Sequence, residues 1–496
     1  MSESRVAFQR MWEALGEADD GPDRVAPGGY PALHAHLPVA ALTRGAVAAA
    51  SLAAALLADD STAAAGTTAV TAAETAAETA AGTTADTAAG TDTGQPLVAL
   101  DAGRILTAVT SERHFRVDGE APEIWAELSG FWRCGDGWIR THTNYPHHRA
   151  RLLRVLGLPD DADGAAFSDR LAGLDPFEVE GRAATAGAIA AAVRTEEEWA
   201  RHPQAEAVRR HPLVVREQLG GAPAASRPAA ASVRAPLAGI RVLDLTRVIA
   251  GPVATRTLAL LGADVLRVDT PTLPEMGRQH LDTGIGKRST LLDLTHSDDA
   301  RVFDELLATA DVVVTGYRPG ALARFGLAPA DLAARRPGLI VGQVSAWGES
   351  GPWAGRRGFD SIVQAVSGIA MLESPDGRRP GVLPAQALDH TAGYLLAAGI
   401  MSSLRRQRAE GGSWSVAVAL ARIAQELLQL PRGEENREAP DSADAGEPTT
   451  VTMPTPAGEI TCALPALGYA GGPVSWTAPP HPWGSDKPEW VAGGAR

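Results

Sequence analysis

The fold is decided by the stretch Ile240-Arg-Val-Leu-Asp-Leu-Thr-Arg-Val-Ile-Ala-Gly-Pro252 and by the run Ala263-Asp-Val-Leu-Arg-Val268 that follows it. The first six residues are a short apolar run typical of a buried strand, and Gly251-Pro252 begins a helix that reaches about Leu261. The second run has the pattern of another strand. A strand, a helix and a strand in this order predict a βαβ unit with parallel strands.

The same alternation continues along the chain. Further strands and helices are predicted at 300–310 (helix), 311–315 (strand), 329–336 (helix), 338–344 (strand) and 389–406 (helix). We therefore expect an α/β fold, with a doubly wound, Rossmann-like parallel sheet in a large domain and a smaller α+β domain. The turn at 246–252 has one glycine where a dinucleotide-binding fingerprint needs three, which disfavours NAD binding.

Composition excludes several classes of protein. The 496 residues exceed one average domain, and 45 basic against 59 acidic residues give a net charge of −14, which disfavours nucleic-acid binding. Two cysteines cannot form a disulfide framework. The N-terminus begins no secretory signal, and the small apolar stretch Gly45–Ala58 is too short to span a bilayer, so we expect a cytoplasmic protein without a membrane partner.

Shifts in composition predict the domain boundaries. The Ala/Thr/Gly-rich segment 61–94 is expected to be an inserted loop, with a solvated helix as the alternative. The remaining divisions are a degenerate N-terminal region at 1–220, a linker at 221–235, a catalytic domain at 236–431, an exposed linker at 432–449 and a C-terminal segment at 450–496.

Asp360 stands directly before an apolar helix, in Gly358-Phe-Asp360-Ser-Ile-Val-Gln-Ala365. Two interpretations stay open. The side chain could cap the helix. Alternatively, the helix N-terminus could keep the carboxylate ionised and available as a nucleophile.

Cations and histidines give weaker signals. Lys287-Arg288 follow two nearby glycines and could hold a phosphate, although a surface charge pair is the alternative. Arg324 follows the end of a strand, where open α/β sheets bind ligands. The spacing of His142, His147 and His148 lacks a carboxylate or cysteine that would complete a metal site, so no metal is expected.

Taken together, these segments resemble the family III CoA-transferases, which include formyl-CoA transferase, carnitine CoA-transferase and α-methylacyl-CoA racemase. The matching segments occur in the family's order and cover about 236–430; they are Pro236–Pro252, Leu261–Val268, Gly286–Leu294, Ala310–Gly320, Ser345–Pro352 and Gly358–Ala365. Thr270 departs from a frequent basic position, and the family's glycine-rich loop has no adequate match.

The resemblance implies a role for each matched position. Asp360 falls at the catalytic aspartate that attacks an acyl-CoA thioester. The positions implied to bind coenzyme A are Val248, Ile249, Ala250, Lys287, Arg288, Arg324, Ser345, Ala346, Trp347 and Gly348. Coenzyme A is then a substrate, carried by an acyl-CoA and passed to a carboxylic acid, and no tightly bound cofactor is expected.

A fainter likeness extends to the first 220 residues. Asp136–Arg140, Leu153–Leu158 and Glu198–Ala205 resemble the family's small domain. The chain therefore resembles two fused copies, the first degraded. Since family members form interlocked dimers, the resemblance implies a homodimer or an intramolecular pseudo-dimer.

The expected function is transfer of CoA through an aspartyl-CoA intermediate. A 2-methylacyl-CoA racemase is one alternative, disfavoured because residues 297–389 contain no histidine to pair with the aspartate, although a residue from elsewhere could substitute. A non-catalytic CoA-binding protein is the other.

Overall fold

The computed structural model describes residues 3–17, 20–77, 96–224, 232–432, 446–456 and 458–491, and for residues 61–77 it describes the backbone alone. The strands, numbered along the chain, are β1 (Arg116–Val117), β2 (Gly130–Cys134), β3 (Gly137–Thr141), β4 (Ala190–Ala192), β5 (Val215–Gly220), β6 (Arg241–Leu245), β7 (Asp264–Asp269), β8 (Arg288–Leu291), β9 (Val312–Thr315), β10 (Ile340–Ser345), β11 (Ser413–Ala419), β12 (Thr450–Thr455) and β13 (Gly458–Ala463).

The helices connect and cover these strands. They are α1 (Glu3–Ala14), α2 (Val39–Ala77), α3 (Ala102–Val109), α4 (Ser111–His114), α5 (Pro146–Leu156), α6 (Gly164–Ala172), α7 (Pro176–Ala186), α8 (Glu196–Ala200), α9 (Pro203–Arg210), α10 (Ala250–Leu260), α11 (Gly277–Thr283), α12 (Ser297–Leu307), α13 (Pro329–Arg335), α14 (Asp360–Val366), α15 (Ile369–Leu372), α16 (Ala387–Glu410) and α17 (Leu420–Gln429).

Within the described residues, the central sheet has seven strands in the order β5-β11-β10-β9-β6-β7-β8. Its neighbours pair in parallel from β11 to β8, and β5 pairs antiparallel with β11 at one edge. The expected α/β class with a parallel sheet is therefore confirmed. From β6 the chain adds β7 and β8 on one side, and then returns to add β9, β10 and β11 on the other side. Open α/β sheets usually bind ligands at such a switch point, here between β6 and β9.

Alternating side chains of the strands build an apolar core on each face of this sheet. Val242 and Val312 pack with α10 and α16 on one face, whereas Leu243 and Val313 pack with α12 and α13 on the other. This alternation follows from the two-residue period of a strand. Every residue of α10 is buried, which explains its nearly uniform run of small and apolar side chains.

The N-terminal region packs against this core. Strands β2, β3 and β4 form one small sheet, and α5, α6 and α7 cover it. A second small sheet has the order β1-β13-β12 and joins strands from opposite ends of the chain. Strand β5, which precedes the expected linker at 221–235, belongs to the central sheet.

Helix α2 differs from its sequence-based expectations in two ways. Its backbone continues to Ala77, where a loop was the favoured interpretation, while residues 78–94 of the low-complexity segment lie outside the described residues. The expectation of an apolar stretch too short to span a bilayer is wrong, because Val39–Asp60 is long and apolar enough by length and composition. However, 94% of its most apolar window is buried, in contact with α1 and α16. The segment thus packs as a core helix.

Candidate active site

A cavity of about 930 Å³ lies at the carboxyl ends of the parallel strands. Each of β6 to β11 contributes its last residues or the loop that follows it. The N-terminal region closes another side with Tyr145, His147 and His148. The site is therefore built by the N-terminal region together with the loops at the carboxyl ends of the parallel strands, where ligands of this fold class bind.

The first wall of the cavity is the turn between β6 and α10. Val248 lines it with a φ of +71°, a left-handed conformation that is strained for a β-branched residue. Such strain costs about 1–3 kcal/mol and persists where the surrounding structure imposes it. Gly251 is required here, since a Cβ at this position would lie 2.5 Å from the Thr246 side chain. The sequence thus fixes a tight turn whose backbone faces the cavity.

Arginines dominate the charge of the cavity wall. The five that line it are Arg247, Arg318, Arg324, Arg356 and Arg357, against the acidic residues Asp293 and Asp389. Glu275 neutralises Arg247 with an Nε–Oε2 distance of 3.2 Å. Within the described residues, no carboxylate pairs with Arg318, Arg324 or Arg357. Burial lowers the pKa of Arg357, and the positive charges of Arg318 and Arg151 lower it further. An anionic ligand would relieve this repulsion.

Asp360 lies behind the cavity wall. It is 0% exposed, and it does not line the cavity, although Gly358, Phe359 and Asp389 do. As the first residue of α14 it makes no capping hydrogen bond to that helix, so the capping interpretation is wrong for α14.

The carboxylate is instead held by groups outside the first turn of α14. Oδ2 accepts hydrogen bonds from the backbone N–H groups of Leu388 (2.8 Å) and Asp389 (3.1 Å), at the start of α16. Oδ1 accepts from Nε2 of Gln364, whose own Oε1 accepts from Leu383 N–H at 3.0 Å. These N–H donors and the positive end of α16 favour the ionised form.

Three carboxyl groups from different elements converge beside the cavity. Burial raises the pKa of Asp360 to about 6, against the hydrogen bonds that lower it. Burial, with the charges of Asp360 and Glu112, raises the pKa of Asp389 well above its usual range. Burial also raises the pKa of Glu112 to about 7. At neutral pH Asp360 is therefore the most ionised of the three carboxyl groups and Asp389 the most protonated.

Phe359, the neighbour of Asp360, stacks on histidines of the N-terminal region. The ring of Phe359 lies parallel to His142, with centroids 3.9 Å apart, and His148 meets it at a steep angle. Burial lowers the pKa of His142 to about 3 and that of His148 to about 2, so both rings are neutral. Within the described residues no group of histidine, cysteine and acidic side chains could hold a metal ion.

Arg140 on β3 is the buried cation beside this stack. Its guanidinium lies 4.9 Å from the ring centroid of Trp125 and 5.0 Å from that of Phe131. Burial lowers its pKa to about 10, and the charge of Asp360 opposes that shift. Arg140 therefore supplies positive charge to the region of Asp360.

The structure places the predicted binding residues in two groups. Those that line the cavity are Val248, Ile249, Ala250, Arg324, Ser345 and Ala346. Those that do not line it are Lys287, Arg288, Trp347 and Gly348.

The second group has other partners in the fold. Lys287 is 2% exposed and forms an ion pair with Asp244, so neither the phosphate interpretation nor the surface-pair interpretation describes it. Arg288 pairs with Asp264 at 2.7 Å. Trp347 packs its ring against Trp353, with centroids 4.9 Å apart.

Sequence reasoning missed part of the site. It assigned no site role to Tyr145, Arg247, Arg357, Asp389 or Glu112, and it considered the histidines at 142–148 only as metal ligands, which it did not expect. One signal for Asp389 was available, because this acidic residue stands in the first turn of a helix, as Asp360 does. Glu112 and Tyr145 gave no local signal, since only the tertiary fold brings them to the sheet edge.

Part of this chain is similar in sequence to a known protein family. Residues 237–455 match CoA-transferase family III. A probable fatty acyl-CoA transferase, Rv3272 of Mycobacterium tuberculosis, is 33% identical over 228 residues, which are 42% of this chain and 58% of that protein. The acetyl-coenzyme A transferase nodX of Hypoxylon pulicicidum is 35% identical over 232 residues, 44% of this chain and 38% of that protein.

Among solved structures, the crystal structure of Rv3272 aligns with a TM-score of 0.36 and 37% identity, covering 39% of this chain and 56% of that one. The chain spans about half the length of the curated relatives it matches. Residues 237–455 are thus similar to CoA-transferase family III, as the motifs indicated.

Proposed function

We propose that this protein is a CoA-transferase that moves CoA from an acyl-CoA to a carboxylic acid, with Asp360 as the nucleophile. The observation that carries the proposal is the arginine-rich cavity at the carboxyl ends of the parallel strands. Directly behind its wall, backbone N–H groups hold the Asp360 carboxylate in its ionised form. The names of the relatives support the same class of reaction. Arginines of the wall would bind the phosphates of CoA.

The chemistry assigned to Asp360 is covalent. A carboxylate oxygen attacks the thioester carbonyl carbon, the C–S bond breaks, and CoA leaves as a thiolate with the bonding electron pair. The thiolate then attacks the aspartyl carbonyl of the mixed anhydride, which releases the free acid and leaves aspartyl-CoA. An acceptor carboxylate enters and the steps reverse. The thioester and the anhydride are similarly activated, so neither half-reaction ends in a deep trap.

The burial of Asp360 adds a requirement to this mechanism. Because Asp360 is 0% exposed and does not line the cavity, whereas its neighbour Phe359 does, the start of α14 must move before a thioester can reach Oδ1 or Oδ2. We infer that substrate binding shifts the Phe359 ring from its stack on His142. This motion is part of the proposal, and lid or loop motions of this kind limit many enzymes.

Hydroxylamine trapping tests the proposal. The protein is incubated with acetyl-, succinyl-, formyl- and branched-chain acyl-CoA in turn, hydroxylamine is added, and peptides are mapped by mass spectrometry. We expect a hydroxamate on Asp360, and none in Asp360→Asn. Asp331→Asn, which changes an exposed aspartate on α13, is the matched control and should behave as the parent protein.

The outcomes separate the candidate functions. Transfer without any modification of Asp360 would refute the covalent role. CoA binding with neither transfer nor modification would support a non-catalytic CoA-binding protein.

One observation favours a racemase as a second candidate. The sequence argument against it was the lack of a histidine at 297–389, yet the N-terminal region brings His142 and His148 to the ring of Phe359. His148 also lines the cavity. Incubating a chiral 2-methylacyl-CoA in deuterated water decides the question. Uptake of α-deuterium without an acid acceptor would favour the racemase.

We also propose that the chain is an intramolecular pseudo-dimer with the interlocked, doubly wound architecture of its family, the N-terminal region being a degraded copy. Two contacts support this proposal: α2 packs on α16, and the N-terminal region supplies three residues to the cavity. Co-expression of two fragments cut within 221–235 tests it. The fragments should purify together, whereas two independent monomers would refute the proposal.

A further inference from the structure

Asp389 is the acidic residue that faces the cavity at the point nearest to Asp360. It lines the cavity, and its backbone N–H donates to Oδ2 of Asp360. The residue is only 6% exposed. Within the described residues, no hydrogen bond or ion pair reaches its carboxyl group. A carboxylate left without partners at such a depth is strongly disfavoured, whereas a protonated carboxyl with one O–H donor is tolerated.

Asp360 and Asp389 therefore have opposite environments. Three N–H groups donate to Asp360, from Gln364, Leu388 and Asp389, which stabilises its ionised form. Asp389 receives none of these and lies beside the negative charges of Asp360 and Glu112. When two neighbouring carboxyl groups differ in this way, the one with the donors is the ionised group and the other is the acid. Here Asp360 is the ionised group and Asp389 the acid.

Other ionisable groups around this pair do not reverse the assignment. They come from several elements: Glu112 on α4, His390 on α16, Arg140 on β3, and Asp282 with Arg256 on α11 and α10. His390 is 1% exposed, neither ring nitrogen has a hydrogen-bond partner, and Nε2 lies 4.0 Å from Oε2 of Glu112. Burial lowers its pKa to about 3, so it is neutral. Arg256 is already paired with Asp282. Arg140 acts on Asp360.

We propose that Asp389 is a second catalytic side chain, a protonated acid that donates its O–H to the carbonyl oxygen of the thioester while ionised Asp360 attacks the carbonyl carbon. The inference rests on the proposed transferase function and deepens it. As the new C–O bond forms, the carbonyl π electrons move to oxygen, and the Asp389 O–H stabilises that oxyanion. Collapse restores the C=O bond and expels the thiolate, and Asp389 retains its proton.

A conservative and a disruptive variant test this role. Asp389→Asn keeps an N–H donor of similar size and should retain a substantial part of kcat. Asp389→Leu removes the donor and should lower kcat by about 10²- to 10³-fold, the usual cost of one oxyanion donor. Because the carboxyl has no polar partner to abandon, Asp389→Leu should unfold at the same urea concentration as the parent, or a higher one. A merely structural role would instead lower that midpoint together with the activity.

The pH profile gives a second readout. The parent should lose kcat at high pH as Asp389 ionises, and Asp389→Asn should not show this loss. Persistence of the same basic limb in Asp389→Asn, or a normal kcat in Asp389→Leu, would overturn the inference.

An infrared measurement separates this inference from the proposed function. The difference spectrum between the parent and Asp389→Asn at pH 7 should contain the C=O stretch of a protonated carboxyl group. If that band is present but no acyl-CoA supports transfer, the proton assignment stands and the transferase proposal fails. If the band is missing, Asp389 is ionised and the role as a donor is refuted, whatever the activity.

Discussion

Lys287→Met should destabilise the fold without weakening CoA binding by the protein that remains folded. Nζ of Lys287 lies 2.9 Å from Oδ2 of Asp244, 2.9 Å from the carbonyl oxygen of Pro252 and 2.6 Å from Oγ1 of Thr255. The two charged side chains are 1% and 0% exposed. Removing the ammonium leaves a buried carboxylate without its cation, which costs about 3–5 kcal/mol. The methionine stem would fill most of the vacated volume, so little cavity cost is added.

Urea denaturation followed by tryptophan fluorescence measures this loss. The double variant Lys287→Met with Asp244→Asn removes both charges, so its loss of stability should be smaller than the sum of the two single losses. Burial opposes the shift, but Lys287 and Arg267 hold the pKa of Asp244 below its usual range. In the parent, this stabilisation is lost as the pH falls through that pKa, so the unfolding free energy of Lys287→Met should change less on acidification. An unchanged unfolding free energy with a KM for acyl-CoA raised tenfold would refute the structural role and restore the phosphate-binding interpretation.

Three further predictions concern the site. Gly358→Ala should lower transfer activity, because a Cβ there would lie 2.6 Å from that of Ala346 and displace the start of α14, whereas Gly355→Ala, with no atom within 4 Å, should be neutral in the same assay. Glu112→Gln should remove a loss of stability between about pH 4.5 and 7. The carboxyl of the parent has a raised pKa, so it favours folding below its unfolded pKa and loses that contribution as pH rises, by up to about 3 kcal/mol in urea titrations; equal pH slopes in the two proteins would contradict this. Arg324→Met should raise the KM for acyl-CoA several-fold with little change in unfolding midpoint, and an unchanged KM would place the phosphates elsewhere.

Local patterns were sufficient for the buried strands of the sheet. The runs at 240–245, 263–268 and 338–344 are mainly apolar because both faces of those strands are covered, and the structure has strands there. Strand β8 was missed because Arg288-Ser-Thr-Leu291 is a short, largely polar strand at the edge of the sheet. Strand β11 was also missed, although it is buried.

The site was less predictable than the sheet. The turn Val248–Ala250 could be identified because its position after the first strand is fixed by sequence order. Lys287 could not be assigned correctly, since an adjacent arginine suggests an exposed pair and only the fold reveals Asp244 opposite it. The depth of Asp360 likewise depends on Phe359 and on β3, more than two hundred residues earlier in the chain.

The packing of α2 on α16 imposes an order of events during synthesis. The apolar segment Val39–Asp60 leaves the ribosome more than three hundred residues before Ala387–Glu410, the helix that covers it. At ordinary rates of translation this interval is on the order of tens of seconds. Throughout that time α1 is available to pack on this helix, but the alanine- and leucine-rich face that α16 covers has not met its partner. We expect the nascent chain to need a chaperone or transient self-association to keep that face from aggregating. Truncated forms that end before α16 should accumulate in aggregates.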